Sequence, residues 1–307
     1  PKSLVTLIPG MQQAGYQFNS LDEQTLIERL QQLLKAQHQP TLRPELLKAG
    51  LADTLSVGLY YHWLSSLPKE TAQQIRAEAG NPYTSDDVFQ IDGKPVFIIP
   101  RLRLGNLNIL PQPRRGSGSA HDYHDKHLVP SHQYLATYLY LSRELQADAL
   151  IHFGTHGSQE WLPGKDRGLS AFDFPHLVLH DMPVFYPYIQ DNIGEAIQAK
   201  RRGRATVISH HTPAFSPSGL HDELKILHDL MHEYEQLEDG PVRDKTIAAI
   251  TAAAIQQNLH KDLNLAEENI KADFRHFFSL LHHHLHQLAA RSVPLGLHAF
   301  GLNPEPD

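Results

Sequence analysis

Apolar positions along this chain recur with two periods. Up to about residue 215, short apolar runs of strand length alternate with stretches of helical spacing; from 219 onward the spacing is almost entirely helical. "SLVTLIPG" (3–10) reads as a buried strand stopped by Pro-Gly. "SLDEQTLIERLQQLLKAQ" (20–37) reads as a helix capped by Ser20, with Glu23 closing a capping box and Leu26, Leu30, Leu33 and Leu34 forming its apolar stripe. "PKETAQQIRAEAG" (68–80) predicts a helix between an initial Pro and a final Gly, and "KPVFIIP" (94–100) a buried strand. "PQPRRGSGS" (111–119) is a basic loop. "SHQYLATYLYLSRELQ" (131–146) is a helix with Tyr134, Tyr138 and Leu141 on one face. "ADALIHF" and "RATVIS" are strands on either side of the helix "DNIGEAIQAKRRG" (191–203). No repeat is visible. The pattern predicts an α/β fold, an open and mostly parallel sheet with flanking helices, followed by a helical C-terminal region. The expected divisions are 1–110, 111–215 and 216–307.

Composition narrows the class. A chain of 307 residues with 41% hydrophobic and 20% charged residues can bury a substantial core. Its net charge of −7 argues against sequence-independent binding to nucleic acid. The absence of cysteine excludes disulfides, zinc ribbons and thiol nucleophiles. No charged-plus-apolar leader opens the chain, and no run reaches the roughly 18 apolar residues that span a bilayer. A cytoplasmic location is therefore expected. Pro1 stands where an initiator methionine would, as in a trimmed chain or an excised piece. The 22 histidines are the one oddity, and imidazole is the commonest metal ligand.

The richest stretch is "ALIHFGTHGSQEWLPGKDRGLS" (149–170). Functional groups of open α/β sheets collect beyond the carboxyl ends of the strands. That rule places His156 and Glu160 at such an edge, with His152 either beside them or buried as a core residue. "RATVIS" ends the same way, in His210-His211. The glycines do not make a phosphate-binding loop, since Gly164-Lys165 is followed by Asp166 and Gln159 stands where the first glycine is needed. G-x-S-x-G and H-E-x-x-H are also absent. "HDYHDKHLVPSHQY" (121–134) carries His121, His124, His127 and His132, either as a lid passing a cation or protons inward or as an exposed loop. His221, His228 and His232, and "HHHLH" (282–286), read as polar faces of amphipathic helices. Lys200, Arg201, Arg202 and Arg204 suit a helix C-terminus. With Arg114, Arg115 and Lys165 they also concentrate enough positive charge to bind a polycarboxylate.

Three blocks, "IHFGTHGSQEWLPGKDRGLS", "MPVFYPYIQDNIGEAIQAKRRGRATVISHHTP" and "VPLGLHAFG", together resemble the large subunit of aerobic cobaltochelatase, the CobN family, and the related H subunit of magnesium chelatase. "QPRRG", "YHD" and "PSHQYLA" extend the resemblance back to about residue 112, and "EWLPGK" (160–165) favours the cobalt branch over the magnesium one. The resemblance implies an internal portion of a tetrapyrrole-binding subunit. Its reaction would insert Co2+, the substrate metal, into the corrin precursor hydrogenobyrinic acid a,c-diamide. ATP with Mg2+ would be used by separate AAA+ partner subunits, in keeping with the missing phosphate loop. On this reading His156, Glu160 and His152 are catalytic, and His124, His132 and His210 line the metal path. Arg114, Arg115, Lys165, Lys200, Arg201 and Arg202 hold substrate carboxylates. The competing classes are a tetrapyrrole- or metal-binding module without insertion, a magnesium chelatase-like subunit acting on protoporphyrin, and a zinc hydrolase.

Overall fold

The computed structural model describes residues 2–116, 120–154, 157–190, 192–212, 215–217, 219–220, 222–290, 292–294 and 299–302. The chain divides into two compact units, one of residues 1–212 with 298–307 and one of 213–297.

The expected strand at 3–10 lies inside a helix, α1 (Lys2–Gln13), which carries Pro9. A short apolar run does not by itself distinguish strand from helix. Here Leu4, Val5 and Ile8 fall on one helical face and pack into a core with Leu26 and Leu33. The next helix, α2 (Glu23–His38), is capped by Asp22 rather than Ser20: Asp22 Oδ1 accepts the Thr25 N–H at 2.8 Å and Oδ2 accepts the Thr25 hydroxyl at 2.6 Å.

Beyond α3 (Arg43–Lys48), β1 (Ala52–Ser56), α4 (Val57–Ser66) and α5 (Lys69–Ala79) come β2 (Val88–Ile91) and β3 (Lys94–Pro100). The three strands form an antiparallel sheet in the order β1-β3-β2, with Leu55 opposite Phe97 and Phe89 opposite Val96. From Val96 to Pro100 β3 is apolar and buried because both its faces are covered. Val96 and Ile98 pack with α2, while Phe97 and Ile99 pack with Tyr134 and Leu139.

The hairpin β4 (Leu102–Leu104) and β5 (Leu107–Ile109) leads to α6 (Ala120–Tyr123) and α7 (His132–Arg143). Ser131 Oγ caps α7 by accepting the Tyr134 N–H at 3.3 Å. Every residue from 132 to 141 is buried, so this helix is wrapped on all sides. Because α7 packs on β3, the expected division at residue 110 falls inside one unit.

The parallel sheet consists of β6 (Leu150–Ile151), β7 (Val184–Ile189) and β8 (Ala205–His210), with α8 (Phe174–Leu177) and α9 (Ile193–Arg201) in its connections. β7 is central, pairing Leu150 with Val184 on one side and Ile189 with His210 on the other. Among the described residues, parallel pairing is confined to these three strands.

The second unit holds β9 (Phe215–Pro217), α10 (Asp222–Gln236), α11 (Pro241–Gln256), α12 (Leu259–Asp262), α13 (Glu267–Ala272), α14 (Phe274–Ala290) and β10 (Ser292–Pro294). Its expected helical character is modified only by the antiparallel β9-β10 ribbon. Leu227, Met231, Ile250, Phe277, Leu281 and Leu285 form its core. Among the described residues no helix is long and apolar enough to cross a membrane.

Candidate active site at the end of the parallel sheet

The loop leaving β6 turns back over the carboxyl end of the sheet. His152 N–H donates to the Phe185 carbonyl at 2.9 Å, extending the β6–β7 pairing by one bond. The chain then makes a short 3-10 turn at Gln159–Trp161 that directs Glu160 inward. The Glu160 carboxylate is 0% exposed. Its Oε1 accepts the Tyr186 hydroxyl at 3.1 Å and the Gly157 N–H at 3.2 Å. A Cβ added at Gly157 would stand 3.0 Å from Tyr186 Oη, 3.1 Å from His152 Nδ1 and 3.4 Å from Glu160 Oε2. Three polar atoms, from the residue that follows β6, from β7 and from the 3-10 turn, therefore face one small region that only glycine leaves open.

The surroundings set the protonation states. Burial pushes the His152 imidazole down to about 4, so the ring is neutral at pH 7. Its Nδ1 is buried with no hydrogen-bond partner among the described residues, and its Nε2 lies 3.4 Å from Tyr138 Oη. The Tyr186 phenol is raised by burial and then by the charge of Glu160, which keeps its proton available to the carboxylate. Tyr138 is raised chiefly by burial as well. Around them runs a polar net. Gln112 Nε2 donates to Ser158 Oγ at 3.1 Å and to Tyr134 and Tyr138 at 3.0 Å each, and Ser158 Oγ is 3.0 Å from Tyr134 Oη.

Two arginines expected to hold substrate are committed to the backbone instead. Arg115 is 1% exposed and donates to the carbonyls of Tyr123, Asp125, Leu128 and Trp161 at 2.6–3.3 Å. Arg202 is fully buried; its Nε–H donates to the Glu160 carbonyl at 2.7 Å, and its other nitrogens donate to the carbonyls of Leu162, Gly164 and Lys165. Burial lowers both guanidinium groups, and neither points its donors at solvent. They brace the site from behind. Lys165, Lys200 and Arg201 are exposed, and Arg114 is half-buried.

The expected metal path divides in the same way. His132 is 1% exposed, with Nδ1 at 2.8 Å from Tyr60 Oη and Nε2 at 3.1 Å from the Gly80 carbonyl. Facing a carbonyl, Nε2 must carry the ring proton, and Nδ1 accepts from the phenol. The ring has no lone pair for a cation, so His132 is a core residue and not a metal ligand. His124 stands at the rim, its ring edge-on to Trp161 at 4.6 Å and its Nε2 at 3.7 Å from Glu195 Oε1. His210 packs its ring against Phe300 at 5.4 Å, and Phe153 meets the same ring at 6.0 Å. His156, together with His121 of the histidine-rich segment as far as its side chain is concerned, lies outside the described residues.

Several site residues carried only a weak sequence signal. Tyr134 and Tyr138 were visible as one face of a helix. Tyr186 and Tyr188 share one face of β7 by strand alternation, which "VFYPYI" shows once its strand character is known. Glu195 accepts from Tyr188 at 3.0 Å and from Asn192 Nδ2 at 2.7 Å, tying the start of α9 to the strand. Beside it a cleft of about 190 Å³ opens between Tyr188, Ile193, Ile197, Lys200 and Ser209, with the Ile193 side chain largely exposed.

An α/β unit that turns a carboxylate, a neutral imidazole and a phenol onto one region, with cations on the rim and no phosphate loop, has the parts to accept protons beside a cation. The chain belongs to the CobN/Magnesium Chelatase family, whose pattern matches residues 1–307. It is 32% identical to the aerobic cobaltochelatase CobN protein of Pseudomonas aeruginosa, covering 99% of this chain and 24% of that protein. It is equally 32% identical to the H subunit of magnesium chelatase from Chlorobaculum parvum, over 98% of this chain and 23% of that protein. The catalytic subunit of cobaltochelatase from Mycobacterium tuberculosis superimposes with a TM-score of 0.79 at 30% identity, covering 100% of this chain and 26% of that one. The chain thus spans about a quarter of the length of these relatives.

Proposed function

We propose that this chain carries the metal-insertion site of an ATP-dependent cobaltochelatase subunit, acting on Co2+ and a corrin precursor such as hydrogenobyrinic acid a,c-diamide. The observation that carries the reading is the meeting of His152 Nδ1, Glu160 and Tyr186 Oη around Gly157.

Insertion requires that the cation shed water and that the macrocycle lose two N–H protons. Glu160, held in place by the Tyr186 and Gly157 donors, accepts the two protons one at a time and passes each to solvent before the next. His152, neutral at pH 7, offers a lone pair of the borderline softness that suits cobalt. An incomplete donor set of this kind guides a cation without retaining it. His156, next to Gly157 in the chain, joins this set in the proposal, with His124 and His210 on the approach. The apolar cleft beside Tyr188 supplies a shelf for a flat ring, with Lys200, Arg201, Lys165 and Arg114 meeting peripheral carboxylates. Because Glu160 is fully buried, the ring reaches it only after the covering side chains are displaced, a task for ATP-driven AAA+ partner subunits.

The test is metal insertion by a chelatase subunit containing this sequence, reconstituted with its ATPase partners. Co2+ with the corrin precursor and Mg2+ with protoporphyrin are assayed in parallel. Glu160→Gln is expected to lower the cobalt rate by about 10²-fold or more. Unchanged rates with Glu160→Gln or His156→Ala overturn the assignment. Faster magnesium insertion moves the chain to the other branch, and tight ring binding without turnover makes it a binding module.

A further inference from the structure

The helical unit gathers histidines that sequence alone leaves scattered over two polar helix faces. Each follows a core residue by one position: His228 after Leu227, His232 after Met231, His282 after Leu281 and His286 after Leu285. Residues four apart lie one above another on a helix, so the packing of α10 against α14 sets two imidazole pairs along the edge of one apolar seam. Ring centroids are 4.4 Å apart for His228 and His232 and 4.5 Å apart for His282 and His286. Between the helices His228 lies 5.9 Å from His282 and 5.3 Å from His286, and His232 lies 5.9 Å from His282.

One nitrogen from each of His228, His232 and His282 lies within 4.8 Å of the other two. Tetrahedral coordination at about 2.0–2.1 Å needs nitrogens roughly 3.3 Å apart, which small side-chain rotations of these rings can supply. Glu235 Oε2 lies 3.6 Å from His232 Nδ1, longer than a hydrogen bond, on the side of the ring from which a carboxylate can take up the Nδ1 proton when Nε2 ligates. His282 Nε2 is buried with no hydrogen-bond partner among the described residues, an omission that a bound cation repairs.

We propose that His228, His232 and His282 form a site for one divalent transition-metal ion of borderline softness, of the class of Zn2+, Co2+ or Ni2+, which pins α10 to α14 and leaves its fourth position to water. The all-imidazole donor set disfavours Mg2+ and Ca2+, which require oxygen. The site shares no residue with the one around Gly157 and stands whether or not this chain inserts metal there.

The test uses the tag-free chain, stripped of metal and titrated with Co2+, whose visible absorption reports tetrahedral imidazole coordination. Thermal unfolding is followed with and without Zn2+. One equivalent of Co2+ is expected, with a rise in Tm on adding Zn2+. His228→Gln with His282→Gln should weaken binding by about 100-fold or more, and Glu235→Gln by about 10-fold. His283 is exposed and bonded to Gln287 at 2.9 Å, so His283→Gln should change nothing. His232 is also exposed, so His232→Gln retains the fold and gives a second measurement should the double variant misfold. The proposal is overturned if the wild-type chain binds no Co2+ at micromolar concentration. It is equally overturned if His232→Gln binds Co2+ with wild-type affinity and spectrum.

Discussion

The Arg202 Nε–H reaches the main-chain carbonyl of Glu160 at 2.7 Å, so the end of α9 fixes the backbone that carries the site's carboxylate. The same guanidinium spans the carbonyls of Leu162, Gly164 and Lys165 and lies 3.7 Å from Asp166. A positive charge read from sequence as a substrate ligand thus acts on the loop from inside. Its neighbours Lys200 and Arg201 are exposed, and the proposed contacts to substrate carboxylates fall to them.

Arg202→Lys keeps the charge but cannot span four carbonyls. It is expected to destabilise the first unit by roughly 3 kcal/mol, since buried carbonyls lose their donors. Denaturant unfolding should show a lower midpoint, and any fall in insertion should appear in kcat. A variant of unchanged stability with a selectively raised KM for a carboxylate-bearing ring would return Arg202 to the substrate-binding set.

Gly157 has no positive φ that forbids a side chain, so Gly157→Ala probes space alone. Its methyl would meet Tyr186 Oη, His152 Nδ1 and Glu160 Oε2 at 3.0–3.4 Å. The overpacking should cost about 1–3 kcal/mol. Insertion should fall much further than that loss of stability explains, because the methyl occupies the region on which the three groups converge. Activity that tracks only the folded fraction would remove this region from the reacting centre.

His152 makes stability depend on pH in a defined window. Its native value of about 4 lies below the ordinary 6.5, so the unfolded chain binds the extra proton first as pH falls. Stability is unaffected above about pH 6.5, declines between 6.5 and 4, and by pH 4 has lost about 3 kcal/mol through this ring. Unfolding free energies measured across that window should fall less steeply in His152→Gln than in the wild-type chain. Parallel slopes would show that His152 is not buried as neutral imidazole.

Much of this arrangement was legible in the sequence because it rests on periodicity. β3, α5, α7, β8 and the helical second unit follow from apolar spacing, and the strand-end rule put His156 and Glu160 at one sheet edge, with His152 either beside them or in the core. Side-chain direction was the part that spacing could not give. Arg115 and Arg202 look like their exposed neighbours until tertiary packing turns them inward, and His132 sits in a histidine-rich segment but belongs to the Tyr60–Gly80 core. Conversely, His228 and His282 lie 54 positions apart in the chain, and only the packing of two helices makes them neighbours.

Asp53 supplies a pH response that separates from that of His152. Arg101 grips its carboxylate with two hydrogen bonds, of 2.8 and 2.6 Å, and the Tyr140 hydroxyl adds a third at 2.5 Å. These contacts tie the edge of the antiparallel sheet to α7, and therefore to the helix whose tyrosines line the site. The hydrogen bond from Arg101 lowers the Asp53 carboxyl and outweighs its partial burial, while burial pushes the Tyr140 phenol up to about 12. A lowered carboxyl gives stability that is fully present above its unfolded value of about 3.9 and is lost as pH falls through the lower native value. Asp53→Asn is expected to cost about 1–2 kcal/mol at pH 7 after allowance for solvent screening, and to flatten the stability profile below pH 4. His152→Gln should flatten it above pH 4 instead. Combining the two substitutions should therefore remove both slopes additively, since the residues share no contact. A single shared window in the two profiles would show that the edge of the sheet and the site respond to one titration.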